Sequence, residues 1–286
     1  MISATLYTDP GCPWAYSESP ALRVIEWRYG EQLSWRLVLV GLTENAAQYV
    51  ARGYTPLRSA IGQVRFRDRY GMPLSPVPKP RISGTSRACR AIVAARLTHP
   101  GSEWRALRSL QLANFTTPLV LEDDRHLSEA LRHLDGERLV ARIDDPEVIA
   151  AYERDRAETR AAAGSAAELQ GKTATTDGPV RFTAPSIVFE RDGRQLVAGG
   201  FQPVEAYDVL VANLDTTLHR EPPPETPAPL LARFPDGLTT QEVAALLADG
   251  NDAPDRAGAE RALLELVGEG KAARHALGND ALWQPA

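Results

Sequence analysis

A chain of 286 residues with a formal net charge of −5 exceeds one ordinary domain of ~100–150 residues, and it is too acidic for general affinity to nucleic acid or anionic membranes. Its composition, 43% hydrophobic and 24% charged, supports a sizeable core and excludes a disordered chain. Only two cysteines occur, Cys12 and Cys89, which excludes a disulfide-stapled scaffold and makes any thiol chemistry functional.

In chain order, residues 3–8 read as a strand that begins close to Met1. That leaves no room for an export signal, and no apolar run approaches the ~18–20 residues of a membrane span. The expectation is a cytoplasmic protein. Gly11-Cys12-Pro13-Trp14-Ala15-Tyr16 follows and opens a helical pattern over 13–29, with Pro13 suited to the first turn and Pro20 expected to kink it. Cys12 therefore stands at a helix N-terminus, where free N–H groups and the helix dipole are expected to lower its pKa. Residues 33–40 form a second strand of apolar and β-branched character, so the opening reads as a parallel βαβ unit.

Helical patterns then cover 44–52 and 57–70, a proline-rich loop runs from Pro73 to Pro80, and further helices are expected near 84–97, 102–114, 123–134, 136–142 and 146–163. Residues 171–178 read as a flexible approach to Phe182-Thr183-Ala184-Pro185-Ser186. An Asp192-Gly193 turn joins two strands, 186–190 and 195–199, in a hairpin. A helix over 203–214 precedes Glu221-Pro222-Pro223-Pro224, a stiff extended linker by composition. Beyond it, helices opening at Thr239–Thr240 and at Arg256 and a hairpin around Gly278-Asn279 suggest a small winged-helix-like module. From Thr226 to Ala286 it carries five Lys or Arg against nine Asp or Glu, a poor fit to phosphate. Packing on the core, a homodimer contact or recruitment of a protein suits it better.

Three stretches in this order, the strand with Asp-Pro-Gly-Cys-Pro-Trp-x-Tyr, the Thr183-Ala184-Pro185 loop with its strand, and Gly199-Gly200-Phe201-Gln202-Pro203, resemble thioredoxin-fold proteins of the DsbA/FrnE type. The resemblance implies an α/β, thioredoxin-like fold with a large helical insertion. Its expected parts are a core of 1–42 and 171–219, an inserted helical domain over 43–170, a linker over 220–229 and the module over 230–286. It also implies a nucleophile at Cys12 and a cis-proline at Pro185, with Ala184 offering its backbone to a substrate chain. Pro13, Trp14, Tyr16, Thr183 and Ala184 would then line the substrate groove.

The chain departs from the dithiol members at Ala15, where they carry a second cysteine. A lone thiolate can attack a disulfide but cannot expel its partner through a neighbouring thiol. The expected activity is thus a monothiol thiol–disulfide oxidoreductase or isomerase, acting on a disulfide-containing protein or a small-molecule thiol substrate. No cofactor is expected to be held tightly; glutathione, mycothiol or bacillithiol would resolve the mixed disulfide. The alternatives are an isomerase or transferase that uses a thiol cofactor on a small organic substrate, like the 2-hydroxychromene-2-carboxylate isomerases and kappa-class glutathione transferases, and a non-catalytic or chaperone-like binder. Cys89, where the resemblance places a histidine, reads as a buried small residue or as a remote resolving thiol. Arg58, Arg65, Arg67 and Arg69 read as a solvated helix face or as a subsite for carboxylates. No histidine or cysteine spacing suits a metal, and none is expected.

Overall fold

The structure is a computed structural model that describes residues 1–75, 77–250 and 252–286; Pro76 of the proline-rich loop lies outside the described residues. Strand β1 (Ile2–Thr8) is followed by helices α1 (Pro13–Ser17) and α2 (Ser19–Tyr29) and then strand β2 (Leu33–Leu39), which pairs with β1 in parallel. The helix expected over 13–29 breaks at Glu18. Pro20 lacks the N–H that would reach the carbonyl of Tyr16, so the first turn and the longer second helix part company there.

The insertion comprises α3 (Ala46–Ala51), α4 (Pro56–Tyr70), α5 (Ser86–Thr98), α6 (Ser102–Thr116), α7 (Asp124–Ala130), α8 (Gly136–Ala141), α9 (Pro146–Thr159) and the short α10 (Ala166–Leu169). The helix expected over 123–134 stops early. Asp135 takes a left-handed φ of 59°, and a Cβ on Gly136 would lie 2.3 Å from the Ser128 carbonyl oxygen. Helices α5 and α9 pack on the sheet. There the Asp155 carboxylate accepts the Leu39 N–H at 3.0 Å and both Arg96 amino groups at 3.1 and 3.0 Å, while Arg96 also donates to the Leu37 carbonyl at 2.9 Å. These contacts cover the free edge of β2.

The chain returns through β3 (Thr173–Ala174), within the stretch expected to be flexible, and its antiparallel partner β4 (Arg181–Phe182), then β5 (Ser186–Arg191), β6 (Arg194–Gly199) and α11 (Val204–Leu214). The main sheet has the order β2-β1-β5-β6, with β5 antiparallel to both neighbours. Asp192 and Gly193 have φ of 51° and 77°, the two left-handed residues of a tight hairpin turn. Alternation along β1 sends Ile2, Ala4 and Leu6 into the main core and Tyr7 into a second cluster with Cys12, Val38 and Ala184. The sheet is therefore buried on both faces, and Cys12 belongs to the smaller core.

The C-terminal part contains α12 (Ala228–Arg233), β7 (Leu238–Thr239), α13 (Thr240–Leu247), α14 (Arg256–Gly268) and the hairpin β8 (Ala272–Leu277) and β9 (Asp280–Pro285), with β7 added to β9. Thr239 and Glu242 form a capping box at the start of α13. The proline segment before α12 is fastened to α2: Glu221 N–H donates to the Arg28 carbonyl at 2.9 Å, and the Trp27 indole to the Pro222 carbonyl at 2.8 Å. Instead of a free spacer it is a strap. Glu242 is fully buried and accepts two bonds of 2.8 Å from Arg108 of α6, with Ser19 of α2 bonded to the same carboxylate at 2.5 Å. Among the described residues no helix is long and apolar enough to cross a membrane.

Candidate active site

Cys12 is the residue that caps α1 at its N-terminus, in extended backbone. The Ala184–Pro185 peptide is cis, and the Cys12 thiol donates to the Ala184 carbonyl oxygen at 3.0 Å. The two stretches of the sequence are thus in direct contact. Cys12 is only 5% exposed, yet it lines a cleft of about 590 Å³ together with Pro13, Trp14, Thr183 and Ala184. Trp14 is 42% exposed and its ring packs edge-on against Phe66 and obliquely against Phe201, at 4.8 and 5.6 Å between centroids. Tyr16, expected in the groove, instead lies in the interior. Its ring stacks on Phe115 at 4.6 Å, and its hydroxyl donates to the Pro73 carbonyl at 2.8 Å. It belongs to a buried cluster with Met72, Leu74 and Phe115.

The expected lowering of the Cys12 pKa is reversed. Burial pushes the thiol up to about 12, against the opposing pull of the Ala15 and Trp14 N–H groups and of Arg181, with Asp9 adding to the rise. The N–H groups act in the anticipated direction, but a helix of five residues has little dipole to offset removal of the thiolate from water.

Asp9, unassigned by the sequence reading, organises the turn ahead of the thiol. Its carboxylate is fully buried and accepts Gly11 N–H at 2.8 Å, Leu42 N–H at 2.8 Å and the Thr85 hydroxyl at 3.0 Å. A Cβ on Gly11 would meet the Thr85 methyl at 2.4 Å, so glycine is required for that approach. Burial raises the Asp9 pKa despite these bonds. Cys89, in the first turn of α5, has no exposed surface and directs its sulfur at Asp9, 3.7 Å away. Both cysteines are free, and Asp9 is the acceptor between the backbone of one and the thiol of the other.

Arg181 is also buried. Its partners are the Phe182 carbonyl at 3.0 Å, the Thr176 hydroxyl at 3.1 Å and Asp177 at 3.5 Å. Arg160 shares Asp177, so two guanidinium groups stand against one carboxylate close behind the thiol. A local reading could have singled out Asp9 from its Asp-Pro-Gly turn before Cys12, whereas Arg181 carries no such signal. Of the four arginines near α4, Arg58 lines the cleft and Arg65, Arg67 and Arg69 do not. Among the described residues no group of three or more His, Cys, Asp or Glu is placed to hold a metal.

No protein-family model matches the chain, and no curated protein matches it in sequence. Solved structures do. A protein from Nitrosomonas europaea, provisionally assigned as a protein disulfide isomerase, aligns with a TM-score of 0.57 at 17% identity over 74% of this chain and 96% of its own. The cytosolic disulfide reductase DsbM from Pseudomonas aeruginosa aligns with a TM-score of 0.53 at 19% identity, over 75% of this chain and all of its own. Its structure with glutathione aligns at 0.51 and 18% identity, covering 74% and 98%. The fold of this chain is the thioredoxin-like fold with a helical insertion that these proteins share.

Proposed function

We propose that this thioredoxin-fold chain is a monothiol thiol–disulfide oxidoreductase in which Cys12 is the nucleophile and a low-molecular-weight thiol completes turnover. The observation that carries the reading is the pairing of the Cys12 thiol with the Ala184 carbonyl at the floor of an open cleft. Ala15 stands where a neighbouring thiol would be needed, and Cys89 is sealed behind Asp9. Cys12 Sγ attacks a substrate disulfide; one S–S bond forms, another breaks, and the departing sulfur leaves as a thiol with the proton that Cys12 loses. A second thiol then attacks the mixed disulfide, regenerates Cys12 and is itself left in a disulfide with the first substrate half. These two steps exchange one disulfide for another; when a further equivalent of the small thiol attacks the new mixed disulfide, the first half leaves as a thiol, and the net change over all three steps is reduction of one disulfide and oxidation of two small thiols.

The direction follows from the unstabilised thiolate. Strong oxidants of this fold type owe their power to a stabilised reduced form. Burial does the opposite to Cys12, so the thiolate stabilisation that makes a strong oxidant is missing, and the reading is a reductase, or an isomerase when the second thiol comes from the same substrate. A reducing, cytoplasmic setting suits two free cysteines. The cleft volume falls within the range of small-ligand sites, which favours a small thiol over a folded protein as the resolving partner. The test is turnover of 2-hydroxyethyl disulfide with glutathione, followed through glutathione disulfide. Cys12→Ser is expected to abolish it and Cys89→Ala to retain it; turnover unchanged in Cys12→Ser removes the reading.

A further inference from the structure

The walls of the cleft are of one charge. Five cationic side chains line it, Arg52, Arg58, Lys79, Arg81 and Arg181, and among the described residues no Asp or Glu does, in a chain whose formal net charge is −5. Two of the five have a carboxylate beside them: Arg81 pairs with Glu122 at 2.9 Å, and Arg181 shares Asp177, 3.5 Å away, with Arg160. The other three have backbone carbonyls for partners. Arg52 donates to Thr176 at 3.3 Å and Arg58 to Gly53 at 3.1 Å. The Lys79 ammonium donates to the Thr117 carbonyl at 3.3 Å and to that of Leu119.

Lys79 is the most informative. It is one of three lysines in the chain, projects from the proline-rich loop, and is largely withdrawn from water without a carboxylate beside it; burial alone draws its pKa down to about 8. A desolvated cation held only by carbonyl dipoles is poorly compensated, and an arriving anion relieves that cost. Arg52 and Arg58, both exposed, supply further positive charge on the same wall with the planar geometry that suits carboxylates.

We infer that the cleft is built for a small thiol or disulfide that carries carboxylates, with Lys79 anchoring one of them and Arg52 and Arg58 receiving the rest, so that its sulfur is presented to Cys12. This deepens the reading of Cys12 as an exchange thiol and rests on it. When the ligand is glutathione disulfide, attack by Cys12 releases one glutathione as thiol and leaves the other in mixed disulfide, held by the same cations until a second thiol arrives.

The experiment separates charge recognition from exchange. Binding of S-methylglutathione, which cannot exchange, is measured by titration calorimetry to the full chain and to Lys79→Gln, with Arg65→Gln as a variant that removes a surface charge outside the cleft. A charge-assisted hydrogen bond of ~1.5–3 kcal/mol corresponds to a loss of ~10–100-fold in affinity; that loss is expected for Lys79→Gln and not for Arg65→Gln. Turnover of the uncharged 2-hydroxyethyl disulfide with dithiothreitol is expected to be equal in Arg65→Gln and the unaltered chain, while KM for glutathione disulfide rises in Lys79→Gln. Equal binding of S-methylglutathione by Lys79→Gln and the unaltered chain overturns the inference, whatever the exchange assays give. Failure of the unaltered chain to turn over 2-hydroxyethyl disulfide overturns the exchange reading instead, and leaves the binding result to decide on the anion site.

Discussion

The Cys12 thiol and the Ala184 carbonyl oxygen, separated by 172 positions in sequence, meet at 3.0 Å. In the resting protein the thiol keeps its proton, because burial carries its pKa to about 12. Alkylation by iodoacetamide should therefore accelerate by about tenfold per pH unit up to pH 10 without a plateau, as the thiolate fraction grows. Mass spectrometry should find the label on Cys12 in the folded protein and on Cys89 only after unfolding, since Cys89 has no exposed surface. A plateau near neutral pH would mean that the helix N-terminus prevails over burial after all.

The missing neighbour can be restored. Ala15 lies in the first turn of α1 and is 4% exposed, and a cysteine side chain adds one sulfur atom at a position three residues after Cys12. Ala15→Cys is expected to form an intramolecular disulfide between Cys12 and the introduced thiol under mild oxidation, visible as the loss of two free thiols. Turnover of the mixed disulfide should then no longer depend on the concentration of added glutathione.

What was legible in the sequence was local. Cys12-Pro13 after a strand, the proline at 185 and the Asp192-Gly193 turn each announce themselves within a few residues, and the structure brings the first two together. What was not legible depends on partners far along the chain. Asp9 is held by groups from positions 11, 42 and 85, and the charge balance of the cleft depends on which cations find an acid. The pKa of Cys12 was read from its helix alone, and the larger effect, burial among Tyr7, Val38 and Ala184, comes from three separate strands and loops. Tyr16 adjoins the exposed Trp14 in sequence, which suggests the groove, yet partners from two distant stretches, Pro73 and Phe115, hold it in the interior.

The C-terminal hairpin braces the start of the proline-rich loop, which carries Lys79 on the cleft wall. Its tip residue Asn279 accepts the Leu74 N–H on its side-chain oxygen at 2.8 Å and donates its own N–H to the Leu74 carbonyl at 3.2 Å. One residue earlier in that loop, the Pro73 carbonyl receives the Tyr16 hydroxyl, so the brace reaches α1, the helix that Cys12 caps. Asn279→Ala strands a Leu74 N–H that is already partly withdrawn from water and should cost about 1–2 kcal/mol in urea unfolding. If the brace sets that wall, it should also change KM for glutathione disulfide more than kcat. An effect on stability with KM unchanged would confine Asn279 to a structural role.

Two buried carboxyl groups give stability opposite responses to pH. Glu18, at the break between α1 and α2, accepts only a long bond of 3.3 Å from Gln202 N–H and faces the Tyr207 hydroxyl; burial raises its pKa to about 8. Its folded pKa lies above the unfolded value of ~4.3, so its contribution is complete below that value and is lost as pH rises towards 8. Glu242 is the reverse. Arg108 and Arg23 overcome its burial and hold it at about 2, so its contribution is complete above the unfolded value and is lost as pH falls towards 2. Urea midpoints should accordingly decline from pH 5 to pH 8, and Glu18→Gln should flatten that decline. Arg108→Ala leaves Glu242 buried without its main partner and should cost ~3–5 kcal/mol. Because the pair joins α6 to α13 while Ser19 ties in α2, that loss should shift a single cooperative transition. If instead the C-terminal part alone melted early, with the thioredoxin core unmoved, the pair would be a local clasp and the module a separable domain.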